Sequence, residues 1–177
     1  MRHGSSTVVG AVMLFGCGGA PPPGPQPVAA ASSEPGPGPD VGAPAPGLSM
    51  KAIDGSTVTL ARGKVTLVVF WATWSEPDKK ELIKLQELHA RLGPGTVAVI
   101  AVAVDDEPAH LAEFAQTYGL RFPIAWDAGR RVAESYRPSA EPSTYVIDRA
   151  GIIRFVHRGY HDGEAEEIAT EVTALAR

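Results

Sequence analysis

VTLVVFW, residues 65–71, is a seven-residue apolar run rich in β-branched side chains and free of charge. A strand with one wet face alternates polar and apolar residues; a continuous run like this one predicts a strand covered on both faces. A second such run, TVAVIAVAV, occupies residues 96–104. Between them, Asp78 to Leu92 carries Leu82, Leu85, Leu88 and Leu92 at helical spacing, and Gly93-Pro94 supplies the stop. Strand, helix and strand within about 40 residues predict a crossover unit with two parallel strands.

Working outward, Met50-Lys51-Ala52-Ile53 and Val58-Thr59-Leu60 around Asp54-Gly55 predict a leading hairpin. Downstream, a second helix is expected from Asp105-Asp106-Glu107-Pro108 through Tyr118, with Asp105 as its N-cap. A short strand at Phe122–Trp126 and a short helix at Arg130–Arg137 follow. Ser143–Asp148 and Ile152–His157 flank the turn Arg149-Ala150-Gly151 as a closing hairpin, and Asp162–Arg177 forms a last helix with Ile168, Val172 and Leu175 inward. This order describes an α/β domain with a mixed central sheet of thioredoxin-like layout, with an N-terminal hairpin and a central insertion.

The 177 residues divide into three parts by composition. Residues 1–17 have a basic start, Arg2 and His3, and a short uncharged apolar run too brief to span a bilayer as a helix. The run ends in Leu14-Phe15-Gly16-Cys17, which resembles a bacterial lipoprotein signal in which Cys17 is lipidated; a plain secretory signal cleaved elsewhere is the competing reading. Residues 18–47 contain 10 Pro, 7 Gly and 6 Ala with no aromatic, a composition expected of a spacer rather than a core. Residues 48–177 hold all three Trp and all four Tyr and form the folded domain. The expected location is the bacterial envelope, with the domain outside the cytoplasm and facing the periplasm in a Gram-negative cell. A net charge of −4 argues against nucleic acid as a partner. A single cysteine excludes an intrachain disulfide and a C-x-x-C pair.

Gly63-Lys64-Val65 through Phe70-Trp71-Ala72-Thr73-Trp74 resembles the membrane-tethered thioredoxin-like proteins of the TlpA/ResA type. Pro142 before Ser143-Thr144-Tyr145-Val146-Ile147-Asp148, and Gly151 in the next turn, extend the resemblance over about 130 residues. In that family F-W-A-T-W is followed by C-x-P-C at a helix N-terminus, and a cis proline faces the motif. This chain reads WATWSEPD over residues 71–78: Pro77 matches, while Ser75 and Asp78 stand at the two cysteine positions.

The family's chemistry needs a thiolate stabilised at that helix N-terminus and a second thiol to resolve the mixed disulfide. A Ser hydroxyl cannot carry the covalent S–S intermediate, and a carboxylate can neither form nor release it. No catalytic residue is therefore expected among Ser75, Glu76, Pro77 and Asp78, although the family is one of thiol–disulfide oxidoreductases and that activity is the alternative. Ser75-x-x-Asp78 resembles a capping box, with Glu76 and Asp78 placing charge where the helix dipole favours it. Trp74, Ser75, Glu141 and Pro142 are the candidate groove for an extended peptide, paired through the main chain at Glu141-Pro142. Trp71 reads as core and Trp74 as surface. An activated Ser75, or a non-thiol site using Glu76 and Asp78, stays open; no ligand spacing points to a metal, and no cofactor is expected. The expected function is that of a redox-inactive envelope lipoprotein, anchored through Cys17 and acting on extended segments of envelope proteins as a binding, chaperone or adaptor module.

Overall fold

The computed structural model describes residues 38–177. The signal segment, Cys17 and the spacer up to residue 37 lie outside the described residues. Two short strands, β1 (Ser49–Lys51) and β2 (Thr57–Thr59), pair antiparallel as the leading hairpin. The main sheet holds β3 (Val65–Trp71), β4 (Val97–Ala103), β5 (Ile124–Trp126), β6 (Ser143–Ile147) and β7 (Ile153–Arg158), in the order β5-β4-β3-β6-β7. Strands β3, β4 and β5 run parallel, while β6 and β7 join antiparallel. Four helices complete the domain: α1 (Glu76–Leu92), α2 (Leu111–Thr117), α3 (Arg131–Tyr136) and α4 (Glu164–Leu175).

Strand β3 sits at the centre, and the two-sided burial its composition demands is met on both faces. Val65, Leu67, Val69 and Trp71 pack with Leu82, Leu85 and Leu88 of α1, Leu111 and Phe114 of α2, and Ile168 and Val172 of α4. Val68 and Phe70 face the other way, into Leu48, Val58, Tyr136, Tyr145 and Ile153. Gly93 closes α1 at φ +78, a conformation that disfavours any residue with a Cβ, and donates its N–H to His89. Three turns of leucine on one stripe thus fix how α1 lies across the sheet, and with it where its N-terminus points.

Two expectations change. The second helix begins at Leu111 rather than at Asp105, because the Asp105 carboxylate is engaged elsewhere and Pro108 leads a turn that closes on the Leu111 N–H. The last residues of the predicted spacer, from residue 38 to Gly47, belong to the folded domain. Gly42 and Ala45 donate backbone hydrogen bonds to Ile153 and Gly151, and the Tyr136 hydroxyl donates to the Pro46 carbonyl. Gly38 lies so close to α3 that a Cβ there would collide with the Tyr136 carbonyl oxygen. Composition marked this stretch as spacer because proline and glycine build no core of their own. Here they cover one that other residues supply.

Candidate functional site

Parallel strands β3 and β4 deliver their loops to one edge of the sheet, and the Glu141–Pro142 peptide, which is cis, enters β6 beside it. Phe70 pairs with Ser143, so the loop 72–75 that continues β3 and the Glu141-Pro142 segment are neighbours by register. Ser75 is the N-cap residue of α1, in extended conformation at φ −89 and ψ 116.

Its side chain does not cap the helix. The Ser75 hydroxyl donates instead to Asp78 Oδ1 at 2.6 Å, while Asp78 Oδ2 accepts the Ala72 N–H at 2.7 Å. The expected capping box is therefore replaced by a carboxylate that reaches back past the cap. The physical reason is that Asp78 is fully buried, so its acceptor-only oxygens take the two donors that the loop turns inward. Burial is also the largest influence on its acidity. Asp78 is pushed up to about 6, against the opposing pull of the Ser75 and Ala72 hydrogen bonds, with Glu141 and Asp105 adding repulsion. Of the two first-turn acids, only the exposed Glu76 acts as a surface charge, paired with Lys79 at 2.5 Å.

Asp105 holds the same loop from the other side. It accepts the Thr73 N–H at 3.0 Å and the Thr73 hydroxyl at 2.5 Å. The loop is thus clamped by two carboxylates, and between them Trp74 stands 67% exposed while Trp71 is wholly buried. Pro142 is buried, and its carbonyl accepts the Gly159 N–H. Among the described residues no hydrogen bond engages the Glu141 main chain. Beyond Glu141 a groove of about 630 Å³ opens, with Val104, Ala133 and Pro138 on its floor and Arg130 and Arg137 beside them. Both arginines hold positive φ, +56 and +49, at the two ends of α3. Arg130 reaches to 3.8 Å from the Glu141 carboxylate.

Deeper along α1, sequence reasoning passed over Glu81. It is 3% exposed, accepts a hydrogen bond from the Thr144 hydroxyl, and is pushed up to about 8 by burial, with Glu164 and Asp78 as lesser causes. Glu164, at the start of α4, is equally enclosed, and neither of its oxygens has a hydrogen-bond partner among the described residues. The His157 ring places Nδ1 3.6 Å from the Glu164 carboxylate and Nε2 2.9 Å from that of Glu171. The signal for Glu81 was present, since positions 78, 81, 85 and 88 form one inward stripe and extrapolating the leucines predicts burial. Nothing local marks Glu164. Among the described residues no cluster of His, Cys, Asp and Glu could hold a metal ion, and no helix is long and apolar enough to cross a membrane.

The pattern of the AhpC/TSA family matches residues 41–156. A thiol–disulfide oxidoreductase ResA from Bacillus thuringiensis is 30% identical over 113 residues, covering 63% of this chain and 65% of that protein. The chain thus spans just under two thirds of that relative's length. The thioredoxin-like protein YneN of Bacillus subtilis is 33% identical over 122 residues, covering 67% of this chain and 71% of its own. Among solved structures, a thiol:disulfide interchange protein of the thioredoxin family from Chlorobium tepidum superposes with a TM-score of 0.68 at 21% identity, over 78% of this chain and 99% of that one. That likeness carries the thioredoxin-like fold.

Proposed function

The chain belongs to the AhpC/TSA family, among thioredoxin-like relatives of thiol–disulfide oxidoreductase type, and from that premise we propose that it is a redox-inactive member that binds rather than oxidises or reduces. The observation that carries this reading is the Ser75–Asp78 hydrogen bond, at the helix N-terminus where the resemblance puts two thiols. Its oxygens can neither form nor release a mixed disulfide. The only sulfur nucleophile in the chain, Cys17, lies in the signal segment and is taken up by the lipid anchor in this proposal.

What remains is a surface suited to an extended segment: exposed Trp74, the unengaged Glu141 main chain, and the adjoining groove. Main-chain pairing at Glu141 supplies affinity without sequence demand, and Trp74 supplies an apolar anchor. The partner class is an unfolded or extended segment of an envelope protein, met at the outer face of a membrane to which lipid on Cys17 holds the domain. Two assays test the proposal. Insulin reduction with dithiothreitol is expected to stay at the uncatalysed rate, and turnover above it would overturn the redox-inactive reading. Capture of a reduced, unfolded polypeptide is expected to fall on Trp74→Ala with the fold unchanged; equal capture would remove this groove from the account. Intact mass of the membrane-extracted protein reads the state of Cys17.

A further inference from the structure

Arg62 and Lys64 precede β3, Arg91 lies in the last turn of α1, and Arg149 begins the turn between β6 and β7. The register gathers all four at one end of the sheet. Val65 pairs with Val97 and Thr66 with Ile147, so β3 and β4 start where β6 stops. Backbone and side-chain bonds tie the segments together there: the Gly63 N–H donates to the Arg149 carbonyl, Lys64 Nζ to the Pro94 carbonyl at 2.8 Å, and the Arg149 guanidinium to the Ala176 carbonyl at the end of α4.

All four side chains are exposed, and among the described residues none of them forms an ion pair. Two acids on the adjoining segments are already matched, Asp148 by Arg154 and Glu87 by Lys84. The C-termini of α1 and α4 each return about half a negative charge, which leaves an excess of about three positive charges. At the opposite edge the balance differs. Lys79 is paired with Glu76 and Arg130 approaches Glu141, while Asp105, Asp106 and Glu107 add negative charge in the segment after β4. A planar negative surface would therefore attract one end of the domain and repel the other. We propose that the end carrying Arg62, Lys64, Arg91 and Arg149 docks on an anionic phospholipid surface and turns the Trp74 mouth away from it. For a membrane within reach, this rests on the lipid-anchor reading of Cys17.

Two observations favour a lipid surface over an acidic protein. Residues 61–64, 91–96, 149–152 and 169–177, which build this end, contain no aromatic residue, and protein interfaces draw most of their affinity from such anchors. Between α1 and α4 a groove of about 480 Å³ has Leu92, Ala169 and Ala174 in its walls, with Arg91 and Arg177 beside them. Guanidinium groups next to apolar walls match a phosphate headgroup above its glycerol and acyl carbons. Attraction to anionic headgroups is worth about fivefold in partition for each cation at the surface, and salt screens it.

The test adds the full chain to phosphatidylcholine vesicles with and without phosphatidylglycerol. Sedimentation reads affinity, and lysine acetylation at low conversion, located by peptide mapping, reads orientation. Phosphatidylglycerol is expected to raise affinity by about a hundredfold or more at low salt, and to shield Lys64 while Lys80 keeps its rate. Both effects should weaken as salt is added. Arg62→Gln with Arg91→Gln, two side chains without a hydrogen bond among the described residues, should cut that gain about twenty-five-fold. Lys80→Gln with Arg131→Gln makes the same change in net charge and should leave the gain as it was. Equal affinity for the two vesicles, equal losses from the two variant pairs, or shielding of Lys80 in place of Lys64 would overturn the proposal. So would retention on immobilised polyglutamate without any gain from phosphatidylglycerol, which assigns this end to an acidic protein. Binding to phosphatidylcholine alone reports the leader and its lipid, so its absence counts against the anchor and not against the docking, which is read from the gain.

Discussion

Replacing Glu81 by Gln isolates the cost of a buried acid in this fold. The carboxyl is 3% exposed and is held near 8, against 4.5 for the free side chain, chiefly by burial. Between those values the folded chain keeps a proton that the unfolded chain releases. Unfolding is therefore favoured as pH rises, and stability falls across that window rather than growing. At 1.36 kcal/mol per unit, the 3.5 units between the two values set an upper bound of about 5 kcal/mol for the loss. Glu81→Gln keeps an oxygen to accept the Thr144 hydroxyl and removes the ionisation. Urea unfolding followed by circular dichroism is the assay, at steps from about pH 4 to about pH 8.5, since the full window must be crossed. The variant is expected to match wild type at the acid end and to exceed it by several kcal/mol at the alkaline end. A residual slope in the variant comes from Asp78 and Glu164, both also raised by burial. Parallel pH curves for the two proteins would refute the reasoning.

Leu85→Ala should cost about 2–5 kcal/mol in the same assay, because it opens a cavity between α1 and β3 in the fully enclosed core. Gly38→Ala should destabilise by about 1–3 kcal/mol, since its methyl group meets the Tyr136 carbonyl; an unchanged midpoint would return residues 38–47 to the role of spacer. The double variant Ser75→Cys with Asp78→Cys should reduce insulin in the presence of dithiothreitol, which checks that these two positions correspond to the family's thiols.

The reach of sequence reasoning differed by element for physical reasons. Strands β3 and β4 and helix α1 were legible because burial on two faces or along one stripe writes a pattern that no solvent-exposed segment needs. The start of α2 was not, since Asp105 has the composition of an N-cap and its true partner, Thr73, is 32 residues away. The same limit applies at the site. Ser75 and Asp78 were found as positions, but local spacing suggests a cap, and only the buried geometry turns the hydroxyl toward the carboxylate. Residues 38–47 were misjudged because the hydrogen bonds that tie them to the domain come from distant partners, Gly151 and Ile153 at the entry to β7 and Tyr136 of α3.

The three buried acids of α1 and α4 differ in how well they are satisfied, and this separates the mouth of the site from its base. Asp78 accepts two good hydrogen bonds, so its ionisation near neutral pH leaves no orphaned oxygen. Glu81 accepts one from Thr144, and Glu164 accepts none among the described residues. Thr144 and His157 are cross-strand partners on β6 and β7, and His157 stands between Glu164 and Glu171. Ionisation of Glu81 and Glu164 therefore leaves carboxylate oxygens short of donors at the start of α4, whereas ionised Asp78 keeps both of its donors in the loop that carries Trp74. Instability in alkali should begin as loosening of the first turn of α4, visible as faster amide exchange there, while the Thr73 and Ala72 amides clamped by Asp105 and Asp78 stay protected. Exchange that opens first at Ala72 and Thr73 would mean that the carboxylate clamps, not the deeper acids, are the weak point of the fold.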